Sequence, residues 1–180
     1  MPAMEQGRHP APPAHDDPRL GAWRAFLYAQ ATLMSRLDAE LQADAGLTLA
    51  EFDALAQLGF AARQRLRMGE LADRVLLSRS GVTRLVDRLE RRGYVGRETC
   101  APDGRGAFAV LTPAGRKVLR SAMPRHLAGV DSHFLEAIGP EDLEAVERAL
   151  GRVAQANGRP LPSPEASAEA VGRVTGSPPR

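Results

Sequence analysis

Aromatic residues make up only 4% of this 180-residue chain. That scarcity argues against a module that stacks single-stranded bases on aromatic platforms. No uninterrupted apolar run is long enough to cross a bilayer. Met1 to Pro18 carries Pro, His and Asp where a signal peptide needs a hydrophobic stretch, which argues against export. A single cysteine, Cys100, cannot close an internal disulfide, so a reducing cytosol is the expected setting. Lysine is nearly absent, Lys117 being the only one among 24 basic residues. Such an arginine excess can partly follow codon composition, so by itself it carries little functional weight. Catalytic signatures are missing too. There is no G-x-S-x-G and no Walker glycine loop, and Gly104-Arg105-Gly106 falls in a turn without the strand-to-helix context of a phosphate loop. No CxxC, HxxxH or HExxH spacing occurs, and His126 and His133 with Asp131 nearby are a weak substitute for a metal set. The expectation is a protein that is not an enzyme and needs no cofactor or metal.

What is present is an uneven charge. The net charge is +2, yet Phe60 to Arg125 holds 15 basic and 6 acidic residues, a surplus of nine, while the remainder holds 9 basic and 16 acidic. A basic middle between acidic ends is the footprint expected of a nucleic-acid binder, and a solvated arginine-rich surface is the alternative. Proline marks the ends: residues 1–17 and 157–180 hold nine of the 14 prolines and lack apolar periodicity. They read as disordered tails around one ordered body, 18–156.

Within that body Leu20, Trp23, Leu27, Gln30, Met34, Leu37 and Leu41 recur at steps of three and four, predicting a helix from about Pro18 to Ala43 that Gly46 stops. Thr48 with Glu51 three residues on forms a capping-box pattern for a second helix to about Phe60. A short third helix follows over Met68, Leu71, Ala72 and Val75. Ser78 is placed to cap a fourth, running to Arg92 and ended by Gly93. Its Val82, Leu85, Val86 and Leu89 make one narrow apolar stripe, and the opposite arc holds Ser80, Thr83, Arg84, Asp87, Arg88 and Arg91. Two extended runs, Tyr94–Cys100 and Ala107–Leu111, flank a turn-rich loop and read as a β-hairpin. Thr112-Pro113 opens a fifth helix that continues to Ile138, with a kink or break expected at Pro124, and Pro140 opens a sixth.

This order predicts a mainly α winged helix-turn-helix of about six helices and a two-stranded β-hairpin wing. A helix fits the major groove of B-DNA if one face holds it to its domain and the other offers hydrogen-bonding side chains. Residues 78–92 meet both demands, with arginine the best single reader of guanine. Arg105 at the hairpin tip is placed to reach the adjacent minor groove. The bland alternative is a solvated face with Asp87–Arg91 and Asp87–Arg84 pairs. Apolar faces on the first helix and at 127–138 and 143–153 exceed what one small winged helix covers, which predicts a partner surface.

The run Leu71 to Val95, with Ser78-Arg79-Ser80-Gly81-Val82-Thr83-Arg84 and Asp87-Arg88-Leu89-Glu90 at its centre, closely resembles the recognition segment of the MarR family of bacterial transcription regulators. Asp103-Gly104-Arg105-Gly106 and Val110-Leu111-Thr112-Pro113 resemble that family's wing and return helix. The resemblance implies a cytoplasmic, nucleoid-associated homodimer that acts as a ligand-responsive repressor, sequence-specific for a pseudo-palindromic double-stranded DNA operator. By position it makes Ser78, Arg79, Ser80, Thr83, Arg84 and Arg88 the groove-facing residues and Arg105 the wing-tip arginine. Where the family's wing carries a second basic residue, this chain has Gly104 and Gly106. It also implies helices at 18–45 and 113–156 for dimerisation and a DNA-binding lobe at 48–112. A small aromatic or phenolic effector is expected between them, with Trp23, Phe26, Leu27, Phe52 and Met68 as its candidate lining or, alternatively, as plain core. Some relatives sense oxidants through cysteine, but Cys100 lies near the wing rather than in the first helix. A winged-helix protein-interaction adaptor that does not read DNA is the alternative function.

Overall fold

The computed structural model describes residues 14–99, 107–161, 171–172 and 174. Helix α1 (Leu20–Ala45) is the longest, and Gly46 ends it in the left-handed region at φ 61°. It starts two residues after Pro18, where the Asp17 carboxylate accepts the Arg19 backbone N–H at 2.9 Å. Helix α2 (Leu49–Phe60) opens with the expected reciprocal cap. Glu51 N–H donates to Thr48 Oγ1 at 3.2 Å, and Thr48 N–H donates to the Glu51 carboxylate at 3.1 Å. A 3₁₀ turn (Ala62–Gln64) leads to strand β1 (Arg65–Arg67), then helices α3 (Met68–Arg74) and α4 (Arg79–Arg91). Strands β2 (Val95–Thr99) and β3 (Ala107–Leu111) follow, and helix α5 spans Pro113–Val130. Thr112 caps α5 by accepting Gly115 N–H at 3.0 Å.

The hairpin is present as expected, but the sheet has three strands in the order β1-β3-β2, all antiparallel. The two-stranded wing is as expected, and what the sequence did not indicate is the third strand, β1, on the far edge of β3. Strand β1 is only Arg-Leu-Arg, too short to show alternation; Leu66 pairs with Ala109 and turns into the core at 3% exposure. The core itself joins α2, α3, α4, the sheet and the first half of α5, with Leu47, Leu55, Leu58, Leu71, Leu85 and Leu89 wholly enclosed.

No break occurs at Pro124, which lies inside α5. Proline removes one N–H from the ladder, but Pro124 is exposed, so water can reach the carbonyl left without its partner, while Ala122 and Met123 keep the helix seated in the core. The irregularity comes later, as a π turn over Asp131–Leu135 before α6 (Glu136–Ile138) and α7 (Pro140–Ala156). Helix α7 buries none of its residues, and α1 buries only Leu37 and Leu41. One point inside 157–180 departs from a structureless tail. Val174 sits in the core at 4% exposure, in a notch that exists because residue 59 is glycine. A Cβ there would meet Val174 Cγ2 and Leu119 Cδ2, each at 2.9 Å.

Candidate nucleic-acid interface

Helices α3 and α4 are joined by a tight turn at Val75–Ser78, in which Leu76 takes a left-handed φ of 56° and Leu77 N–H donates to the Ala72 carbonyl at 3.0 Å. The Ser78 hydroxyl accepts Gly81 N–H at 3.1 Å, fixing where α4 begins. Val82, Leu85, Val86 and Leu89 are each 1% exposed or less, so the aliphatic stripe is locked into the lobe. The other side faces outward: Arg79, Ser80, Thr83, Arg84, Arg88 and Arg91 are all exposed. A helix held along one edge with guanidinium groups along the other has the shape and charge a DNA groove demands.

The acidic residues of α4 are engaged differently from the sequence expectation. Asp87 does not pair with Arg84 or Arg91. Arg97 of β2 reaches over to bind Asp87, at 2.5 Å, and Glu90. This raises the Arg97 pKa above its ordinary value, mainly through the hydrogen bond to Asp87. The outcome ties the wing to α4 and, among the described residues, leaves Arg79, Arg84 and Arg91 with no ion-pair partner. Arg84 Nε reaches only its own helix, donating to the Ser80 carbonyl at 3.4 Å, and Thr83 Oγ1 donates to the Arg79 carbonyl at 2.8 Å. Arg88 is less free than expected, because its Nε lies 3.5 Å from the buried Glu51 carboxylate.

Ser78, Arg79, Ser80, Thr83, Arg84 and Arg88 thus lie together on or beside one exposed helix face, with Ser78 partly occupied by capping. Arg105 and Cys100 lie outside the described residues. The sequence reading missed Arg67. It stands on β1 opposite Phe108, at the end of the sheet nearer Thr99 and Ala107, its guanidinium 5.3 Å from the Phe108 ring, and lines a cleft of about 550 Å³ with Arg79 and Thr83. The link from Glu51 to α4 and the reach of Arg97 to Asp87 and Glu90 were missed as well, since neither follows the helical period.

The five candidate effector residues do not form one pocket. Phe26 lines a groove of about 750 Å³ between α1 and α7, together with Leu33, Phe134, Val146 and Leu150. Trp23 stacks beside it at 6.0 Å but is 55% exposed, and Leu27 is 42% exposed. Phe52 is core, its ring 4.4 Å from that of His126. Met68 lies away from these, in the cleft beside α4. Their common helical period concealed that they face three different neighbours. The histidines are likewise separate in role. His133 bonds Glu40 at 2.7 Å, which draws the Glu40 pKa below its ordinary value, whereas burial lowers the His126 pKa. No group of three metal-ligating side chains occurs among the described residues. No helix among them is long and apolar enough to cross a membrane.

Comparison with known proteins supports the same assignment. The MarR family model matches residues 45–106. An HTH-type transcriptional regulator of Bacillus cereus is 32% identical over 107 residues, covering 59% of this chain and 69% of that protein. The crystal structure of Sco3205, a MarR family transcriptional regulator from Streptomyces coelicolor solved in complex with DNA, superposes with a TM-score of 0.77 at 34% identity. It covers 82% of this chain and 92% of that one. AbsC, a MarR family regulator from the same organism, gives 0.75 at 34% identity over 82% and 99% of the two chains. These relatives are regulators rather than enzymes, and none supports an adaptor role. With its three-stranded winged lobe, capped recognition helix and these relatives, the chain belongs to the MarR family of transcriptional regulators.

Proposed function

We propose that this protein is a sequence-specific repressor that binds duplex DNA as a homodimer, on the nucleoid in the cytoplasm. The observation that carries the reading is α4, with its aliphatic edge buried in the lobe and Arg79, Arg84 and Arg91 exposed without ion-pair partners among the described residues. Ser80, Thr83 and Arg84 are assigned to base edges, and Arg79, Arg91 and Arg67 of β1 to phosphates. Arg105 keeps its sequence-based assignment to the minor groove. A second copy is assigned to the apolar groove between α1 and α7, where Trp23, Phe26, Leu150 and Val153 are exposed. Two-fold symmetry then sets the half-sites about one helical turn, roughly 10 bp, apart. A small aromatic or phenolic effector remains the expected release signal, without a binding position assigned to it.

Selection from a library of random duplexes tests this reading. One pseudo-palindromic sequence is expected to be enriched, with binding that falls steeply as salt rises because arginines displace condensed counterions. Enrichment of no sequence, with a flat salt response, would show that the protein does not read DNA.

A further inference from the structure

Glu51 is the one charged residue buried among the described residues, its side chain 7% exposed. A buried carboxylate is costly unless every charge and lone pair around it is matched. Here the matching comes from two directions. One is local, the Thr48 backbone N–H at 3.1 Å. The other crosses the lobe to α4, where Arg92 Nη1 donates at 3.1 Å and Arg88 Nε lies at 3.5 Å. The N-terminus of α2 is itself held by α1, since Leu49 N–H donates to Asp38 Oδ1 at 2.7 Å. The carboxylate is therefore a fixed point on the scaffold.

The two arginines use it differently. Arg92 is clamped between Glu51 and the Tyr94 ring, which lies 4.8 Å from its guanidinium carbon. That arginine alone can neutralise the carboxylate, and a glutamine suffices for a capping box. Neither function requires Arg88. Arg88 remains 46% exposed. With Nε directed to Glu51 and Nη1 3.5 Å from the Arg84 carbonyl, its Nη2 has no partner among the described residues. A long arginine normally loses rotamer freedom when it engages a ligand; the Glu51 carboxylate, 3.5 Å from Nε as an ion-pair contact, favours the rotamers that keep the outer guanidinium nitrogens facing solvent.

We infer that Glu51 is a positioning residue for DNA recognition, one that aims the Arg88 guanidinium from α4 toward the duplex. This rests on the DNA-binding reading above. The test is a double-mutant cycle on affinity for the selected duplex against a scrambled duplex, using the full-length protein. Arg88→Ala should lower the ratio of the two affinities roughly tenfold. Glu51→Gln, which keeps an acceptor for Thr48 N–H, should lower it severalfold. Added to Arg88→Ala, it should lower it no further. Losses that multiply, or no loss from Glu51→Gln, would overturn the inference, because a purely structural Glu51 has no reason to couple to Arg88 in DNA binding. If Glu51→Gln unfolds the protein, Arg88→Lys decides the matter. Lysine has no Nε with which to hold the carboxylate while a fork faces outward. Its discrimination should fall to that of Arg88→Ala, and wild-type discrimination would contradict the inference. If the unmutated protein enriches no duplex, the DNA-binding reading itself has failed and this inference falls with it; if it does, the cycle judges Glu51 alone.

Discussion

The DNA-binding lobe and the helical head of this protein are built on opposite principles. In the lobe, α2, α3, α4 and the sheet close over their own apolar side chains, and Leu55, Leu58, Leu71, Val86 and Leu89 have no measurable exposure. In the head, α1 leaves Trp23, Phe26 and Leu27 in solvent, and α7 has no buried residue at all. The lobe is complete within one chain. The head leaves its apolar face open. The asymmetry suits the proposed reading, in which a rigid element faces DNA and a second copy covers the head.

Substitutions in the two halves should break this contrast most sharply if it is wrong. Leu85→Ala, in the lobe, is expected to cost about 2–5 kcal/mol in urea denaturation, because it opens a cavity in a closed core. Leu150→Glu, in the head at 39% exposure, should leave the folded lobe intact and instead shift the protein toward monomer in sedimentation experiments. An unchanged oligomeric state would refute the assignment of a second copy to the groove. Val174→Ala should cost about 1–2 kcal/mol if the C-terminal segment belongs to the lobe, as its place beside Gly59 and Leu119 indicates. A change within measurement error would return that segment to the tail.

A smaller effect sharpens the boundary between the halves. His126 lies beneath Phe52, its Nδ1 is buried with no hydrogen-bond partner among the described residues, and burial depresses its pKa. The unfolded chain therefore takes up a proton more readily than the folded one. The stability this group contributes is complete above its unfolded value of about 6.5 and is lost as pH falls below it. The melting midpoint should drop between pH 7 and pH 5.5, and His126→Leu should make that drop shallower. An identical pH profile in the variant would contradict this.

Local periodicity carried much of the fold. The α4 stripe, the Thr48–Glu51 box and the stops at Gly46 and Gly93 were all legible because each depends on residues within one or two helical turns. What escaped depended on distant partners. Arg65-Leu66-Arg67 becomes a strand only because β3 offers it an edge. Asp87 turns to Arg97 rather than to its helix neighbours because β2 brings that guanidinium across the helix. Phe26, Phe52 and Met68 look alike in sequence and face a groove, the core and a cleft. The exposed arginine face was readable; the carboxylates that hold or release each arginine were not.

The central claim is that this face reads base edges in a duplex, and Arg84 tests it most directly, being exposed and, among the described residues, bonded only within its own helix. Equilibrium titrations of the wild type and Arg84→Ala should be made on the selected duplex and on a scrambled one at the same salt concentration. A loss of about 1–3 kcal/mol on the selected duplex, with little change on the scrambled one, is the predicted result. Equal losses on both, or none on either, would contradict it.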